Sequence, residues 1–211
     1  MFSLVQPRGH VSCLHAAASG GTLLYGSADG AVRQVHASDG RELWTYKTGM
    51  SDVNLLSLSC DGTYVQASGD TNMLVILDVR KPHTPVHELR HEVVDYVNGV
   101  SAAWCHRSHS TIVTGADDET VRIWDVALGT PEVARLRGHT APVSIVAISP
   151  EDDLIASGGD EGKVVLYSRR TDARSAYLLS HEQDNVLMRN RRQDEEAQQQ
   201  WLAVGQGRRR L

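Results

Sequence analysis

Four stretches of this chain share one grammar, and that repetition limits the available folds more than any other feature. They are YGSADGAVRQVH (25–36), ASGDTNMLVILD (67–78), TGADDETVRIWD (114–125) and SGGDEGKVVLYS (157–168). Each runs from small or turn residues through Asp or a substitute into an apolar run. Their last residues are spaced 42, 47 and 43 apart. Two further columns keep the same register. Val11, Val53, Val100 and Val143 each open an upstream apolar run, and Leu23, Val65, Ile112 and Ile155 share one position in the next. A period in the forties marks stacked units that bury a common core between neighbours.

Each unit reads as strands. Val121 and Ile123, like Val164 and Leu166, alternate with their neighbours, the period of a half-buried strand. Asp29-Gly30, Asp39-Gly40, Asp61-Gly62 and Ser149-Pro150 are turn signals between runs. A unit therefore offers about four short strands, the content of one propeller blade. With a single Phe, the core must rest on Val, Leu, Ile and Ala. The net charge of −5 supplies no global electrostatic reason to bind nucleic acid. Cys13, Cys60 and Cys105 form no CxxC pair, so a reducing compartment, cytoplasmic or nuclear, is expected. The opening residues lack a secretory apolar run, and no apolar stretch approaches a membrane span.

TGADDETVRIWD, ending in Trp124-Asp125, resembles the signature of the WD-repeat propeller family, and residues 136–168 resemble a following repeat opened by Gly138-His139. The resemblance covers roughly residues 2–180. It implies an all-β fold: a partial, about four-bladed WD-repeat β-propeller of four-stranded antiparallel blades. Blades are expected at about 9–48, 49–90, 91–136 and 137–180, followed by a charged tail at 181–211 whose residues 184–203 suit a helix. The tail's arginine clusters suit a nuclear address, an anionic contact or a solvated extension. The resemblance also implies a structural hydrogen-bond tetrad of His91, Thr114, Asp118 and Trp124. The fourth unit keeps His139 and Ser157 but has Glu161 and Tyr167 in place of Asp and Trp. The first has Val35 and the second Thr71 and Leu77 at tetrad positions, so apolar packing is expected to hold those two blades. Such rings usually close with about seven blades. Four units leave three arrangements open: a fragment of a longer protein, an array completed by a partner or second copy, or a small distorted ring.

His87-Glu88-Leu89-Arg90-His91 matches the zinc-hydrolase pattern H-E-x-x-H. The pattern needs a helix, whereas the repeat register makes this segment a strand and Pro82 and Pro85 oppose helix formation. At ~3.3 Å per residue the two histidines would lie about 13 Å apart, too far for one metal. No metal, cofactor or catalytic residue is assigned, and a zinc hydrolase is the remote alternative. LDVR (77–80) resembles the WDxR element by which some propellers dock on the DNA-damage-binding adaptor of cullin-RING ubiquitin ligases; Asp78 and Arg80 would carry it, though the leading Trp is absent. Loops between blades place Ser51, Asp52, Asn54, Asp95, Tyr96, Asn98 and Thr140 on one face, with Asp118, Glu119, Asp160 and Glu161 adding negative charge. That rim would suit basic peptide segments. The expected role is a non-catalytic protein-interaction scaffold, with a cullin-ligase substrate receptor as the alternative and a homodimer or larger assembly if the half-ring is complete.

Overall fold

The computed structural model describes residues 9–17, 20–92 and 99–168. Among the described residues every helix-or-strand element is a β-strand, and every strand pairs antiparallel to its neighbour in the sheet. The first sheet holds β1 (Val11–Ala16), β2 (Thr22–Ser27), β3 (Ala31–His36) and β4 (Glu42–Lys47). The second holds β5 (Val53–Leu58), β6 (Tyr64–Gly69), β7 (Met73–Asp78) and β8 (Pro85–Arg90). β9 (Ser101–Trp104), β10 (Thr111–Gly115), β11 (Val121–Asp125) and β12 (Glu132–Leu136) make the third. The fourth shows β13 (Val143–Ile148), β14 (Leu154–Gly159) and β15 (Val164–Ser168). Its expected last strand, and the whole 181–211 tail with its helix-compatible segment, lie outside the described residues. The chain divides into two compact units, residues 1–100 with the first two sheets and 101–211 with the last two.

The repeat extends to irregularities in the ladders. The first-to-second strand register shifts between Val11 and Cys13, between Val53 and Leu55, and between Val143 and Ile145. The third-to-fourth register shifts between Gln34 and Val35, Ile76 and Leu77, and Ile123 and Trp124. A bulge at one position in successive sheets gives each the same local bend. In the first unit Leu24, Val32, Val53, Leu56, Val65, Val75 and Leu77 form the core. In the second, Val113, Val121, Ile123, Val143, Val146 and Ile155 do so.

The alternation expected in β11 is not an inside–outside alternation. Every residue of that strand is buried, Arg122 and Asp125 included. A strand with every residue buried has no solvent side, so its polar members must find partners within the fold.

Candidate interaction surface and its buried locks

β8 is extended through His87 and Glu88, and His91 follows it, buried. The backbone of H-E-x-x-H therefore lacks the helical period that would bring both imidazoles to one metal. Among the described residues no group of three or more His, Cys, Asp or Glu side chains is placed to hold an ion. The His91 amide donates to the Asn72 carbonyl at 2.9 Å, and the Asn72 side chain donates to the Glu92 carbonyl at 3.2 Å. The turn of the second sheet is thereby tied to the segment leaving it.

His91 belongs to the first unit, and Thr114, Asp118 and Trp124 to the second. Within the second, the Trp124 indole N–H donates to Thr114 Oγ1 at 2.7 Å across the β10–β11 ladder. Asp118 is joined to a residue absent from the expected tetrad. Its Oδ2 accepts from Arg122 Nη2 at 2.6 Å, and its Oδ1 accepts from the Thr120 hydroxyl at 2.7 Å. Arg122 also reaches Glu132 Oε2 at 3.1 Å and lies over the Trp124 ring. The Arg122 and Asp118 side chains are each 3% exposed. Asp118 therefore contributes no charge to an acidic rim, contrary to the sequence expectation, because Arg122 neutralises it beneath the surface.

The first sheet carries the same lock, so apolar packing alone does not hold it. Arg33 Nη2 donates to Asp29 Oδ2 at 2.5 Å and Nη1 to Ser27 Oγ at 2.7 Å, while Lys47 Nζ lies 3.0 Å from Asp29 Oδ2. The Arg33 guanidinium holds the Asp29 carboxyl far below the usual carboxylate range. Trp44 Nε1 donates to Gln34 Oε1 at 2.5 Å, and Gln34 Nε2 to Thr22 Oγ1 at 3.0 Å. A signal for the locks is present in the chain: Arg33 and Arg122 each fall four residues after the turn aspartate. The turn also explains Gly30, whose φ of 69° matches the 62° of Glu119 at the corresponding place.

The fourth sheet closes differently. His139 Nδ1 and Glu161 Oε1 are 2.7 Å apart, as are His139 Nε2 and Ser157 Oγ. Burial alone would raise the Glu161 carboxyl, but backbone amides and His139 outweigh it and hold it below its ordinary value. An ionised Glu161 accepts from Nδ1–H, leaving Nε2 to accept the Ser157 hydroxyl proton. The connectivity is that of a nucleophilic triad. Yet Ser157 is 2% exposed, and a nucleophile must reach its substrate. Replacing His139 with Ala is expected to cost about 2 kcal/mol in urea unfolding, the scale of leaving buried hydrogen-bonding groups unpaired. Because the folded Glu161 pKa is depressed, its contribution is present above the unfolded value and lost as pH falls. The variant should therefore lose less stability on acidification than the parent.

The expected contact residues separate clearly. Asp78 accepts from Arg80 through Nε at 2.9 Å and Nη2 at 2.7 Å, and the Arg80 side chain is 71% exposed. The guanidinium holds the Asp78 carboxyl below its usual range. Asp125 makes the same turn with the Ala127 amide, so of the second and third sheets only the second presents an arginine there. Asp52 accepts the Ser12 hydroxyl at 2.6 Å, and Ser51 bonds Asp70. The Ser51 bond helps hold the Asp70 carboxyl below its ordinary value. Asn54 and Thr140 are exposed. Ser144 bonds Asp160, also exposed, whereas Glu161 turns inward to His139. Asp95, Tyr96 and Asn98 lie outside the described residues.

The WD domain, G-beta repeat family matches residues 83–125 and 130–168. Protein SPA1-RELATED 4 of Arabidopsis thaliana is 25% identical over 154 residues, 70% of this chain and 18% of that protein. Rik1-associated factor 1 of Schizosaccharomyces pombe is 24% identical over 138 residues, 60% of this chain and 22% of that protein. The ribosome biogenesis protein WDR12 homolog of Trichoplax adhaerens is 36% identical over 76 residues, 35% of this chain and 18% of that protein. The chain thus spans about a fifth of the length of these relatives. Among solved structures, the Dos1 propeller superposes with a TM-score of 0.66 at 23% identity, covering 75% of this chain and 41% of that one. The RRP9 WD40 repeats superpose at 0.65 and 20% identity, covering 81% and 52%. At these identities the likeness is one of fold. Together with the matched repeats and the recurring sheet register, it places the chain in the WD-repeat β-propeller family.

Proposed function

We propose that this chain is a non-catalytic protein-interaction scaffold. WD-repeat proteins act in that way, and one solved neighbour is part of a mitotic checkpoint complex. The observation that carries the reading is the contrast between the inside and outside of each sheet. Ser157, His139 and Glu161, the constellation with catalytic connectivity, lock one another in the interior. The positions exposed at the bulges and turns differ between sheets, so one backbone presents several surfaces. Asp52 and Asp70 supply negative charge in the first unit and Asp160 in the second, which suits a basic peptide. Fluorescence anisotropy should show a lysine- and arginine-rich peptide binding better than an acidic one, with affinity falling as salt rises and on Asp70→Asn. Equal affinity for both peptides would remove the acidic-rim reading. Turnover of an ester substrate that disappears with Ser157→Ala would overturn the non-catalytic one. A cytoplasmic or nuclear site of action accompanies the proposal, and the ribosome-biogenesis relative favours the nucleus.

A second reading rests on Asp78 and Arg80. The bidentate pair fixes an exposed guanidinium at the end of β7, a rigid presentation suited to docking on a cullin-ligase adaptor. Co-purification of the purified adaptor should be lost with Arg80→Ala and retained with Arg90→Ala. Undiminished binding by Arg80→Ala removes this reading.

A further inference from the structure

Within each unit, two sheets join through the same knob and notch. In the first, Val53 and Leu56 of β5 pack on the first sheet and are 0% and 5% exposed. A Cβ on Gly26 would lie 2.5 Å from Val53 Cγ1 and 2.7 Å from Cys13 Sγ, so Val53 fills the notch that glycine leaves. In the second, Val143 and Val146 of β13 are 2% and 7% exposed, and a Cβ on Gly115 would lie 2.5 Å from Val143 Cγ1. In both units the knob comes from the first strand of the following sheet. The notch is the glycine of one column in the preceding sheet's second strand.

Two copies of this device have no mate among the described residues. Val11 and Leu14 occupy the knob positions of β1, the counterparts of Val53 and Leu56, yet they are 46% and 62% exposed. Gly158 of β14 occupies the notch column, and a Cβ there would meet only Ile145 Cγ2 at 3.0 Å. Ile145 pairs with Gly158 as Cys13 pairs with Gly26. Cys13 packs against the first unit's core, whereas Ile145 is 62% exposed. One chain thus carries a bare knob on β1 and a bare notch on β13 and β14.

The geometry points to a second copy of this chain as the occupant: Val11 and Leu14 of one copy seat against Ile145 and Gly158 of another. The contact continues an interface that each unit already builds, with the same residue classes at the same register. It is heterologous, knob to notch. The contact uses neither the rim carboxylates nor Arg80, so it holds or fails without the scaffold reading.

Light scattering on the full chain should give at least twice the chain mass, falling to one chain on dilution. Leu14→Asp and Ile145→Asp each alter an exposed side chain and should weaken self-association by about tenfold or more, with unchanged circular dichroism. Mixed together, the two variants keep one intact face of each kind and should recover a pair. A photo-crosslinking residue at Leu14, in an otherwise native chain, should label a peptide from β13 or β14 of the other copy. A chain monomeric at every concentration measured overturns the inference. So does self-association unaffected by both substitutions, failure of the mixture to pair, or a cross-link onto β1.

Discussion

Gly115→Val should destabilise the chain by about 3 kcal/mol, lowering Tm by roughly 6–12 °C, the cost of forcing atoms into a filled core site. The site is filled from the neighbouring sheet. A Cβ on Gly115 would stand 2.5 Å from Val143 Cγ1 and 2.9 Å from Val146 Cγ1, and both valines are buried. Neither is the free end of a flexible side chain. Valine's better strand propensity opposes the clash by at most ~1 kcal/mol, so the steric term decides the sign. Gly129 is the control: a Cβ there would meet nothing within 4 Å, so Gly129→Val should stay within about 0.5 kcal/mol of the parent. Val143→Ala removes the offending methyls, and Gly115→Val should cost less in that background. Urea unfolding of the parent, the two single variants and the double variant gives the coupling directly. An additive result would mean that the glycine is required for some reason other than the knob it receives.

That glycine column is visible in the sequence as part of SGG, TGA and YGS, where it reads only as turn glycine. Strand residues, turn positions and the repeat are legible because each depends on local periodicity and spacing. The notch is hidden because it depends on an atom about thirty residues away meeting the missing Cβ. The H-E-x-x-H stretch shows the converse: its residues match a metal motif, and the repeat register identifies the backbone period that defeats it. The polar locks fall between these cases. Thr114 with Trp124, and His139 with Ser157, follow from the resemblance, and both pairs are hydrogen-bonded. Arg33 and Arg122 do not follow from it, because an arginine in an alternating strand looks solvent-facing. The burial of every residue of β11 reverses that inference. Bulge residues and turn carboxylates are distinguishable only once their partners are known: Asp118 and Glu161 turn inward, while Asp70 and Asp160 stay exposed.

Arg122→Met should cost about 3–5 kcal/mol, the scale of stranding one member of a buried ion pair. Arg122 and Asp118 are almost wholly withdrawn from water, and methionine keeps much of the volume while removing the donors. What remains is a buried carboxylate that has lost its guanidinium partner and still accepts from the Thr120 hydroxyl and amide. Converting both members, Arg122→Met with Asp118→Leu, should recover a large part of the loss, since the desolvation cost disappears with the charge. Arg33→Met at the corresponding position in the first sheet should cost less. There Lys47 stands 3.0 Å from Asp29 and Ser27 donates to it at 2.6 Å, so the carboxylate keeps a cation and a hydroxyl. Acid unfolding tests the electrostatic part separately. The folded Asp29 pKa is depressed, so its contribution is complete above the unfolded value near ~3.9 and drains away as pH falls. Removing Arg33 weakens the main cause of the depression, and the stability difference between parent and variant should therefore narrow on acidification. A difference independent of pH would assign the arginine's effect to packing of its alkyl stem and its stacking over Tyr25 rather than to the ion pair.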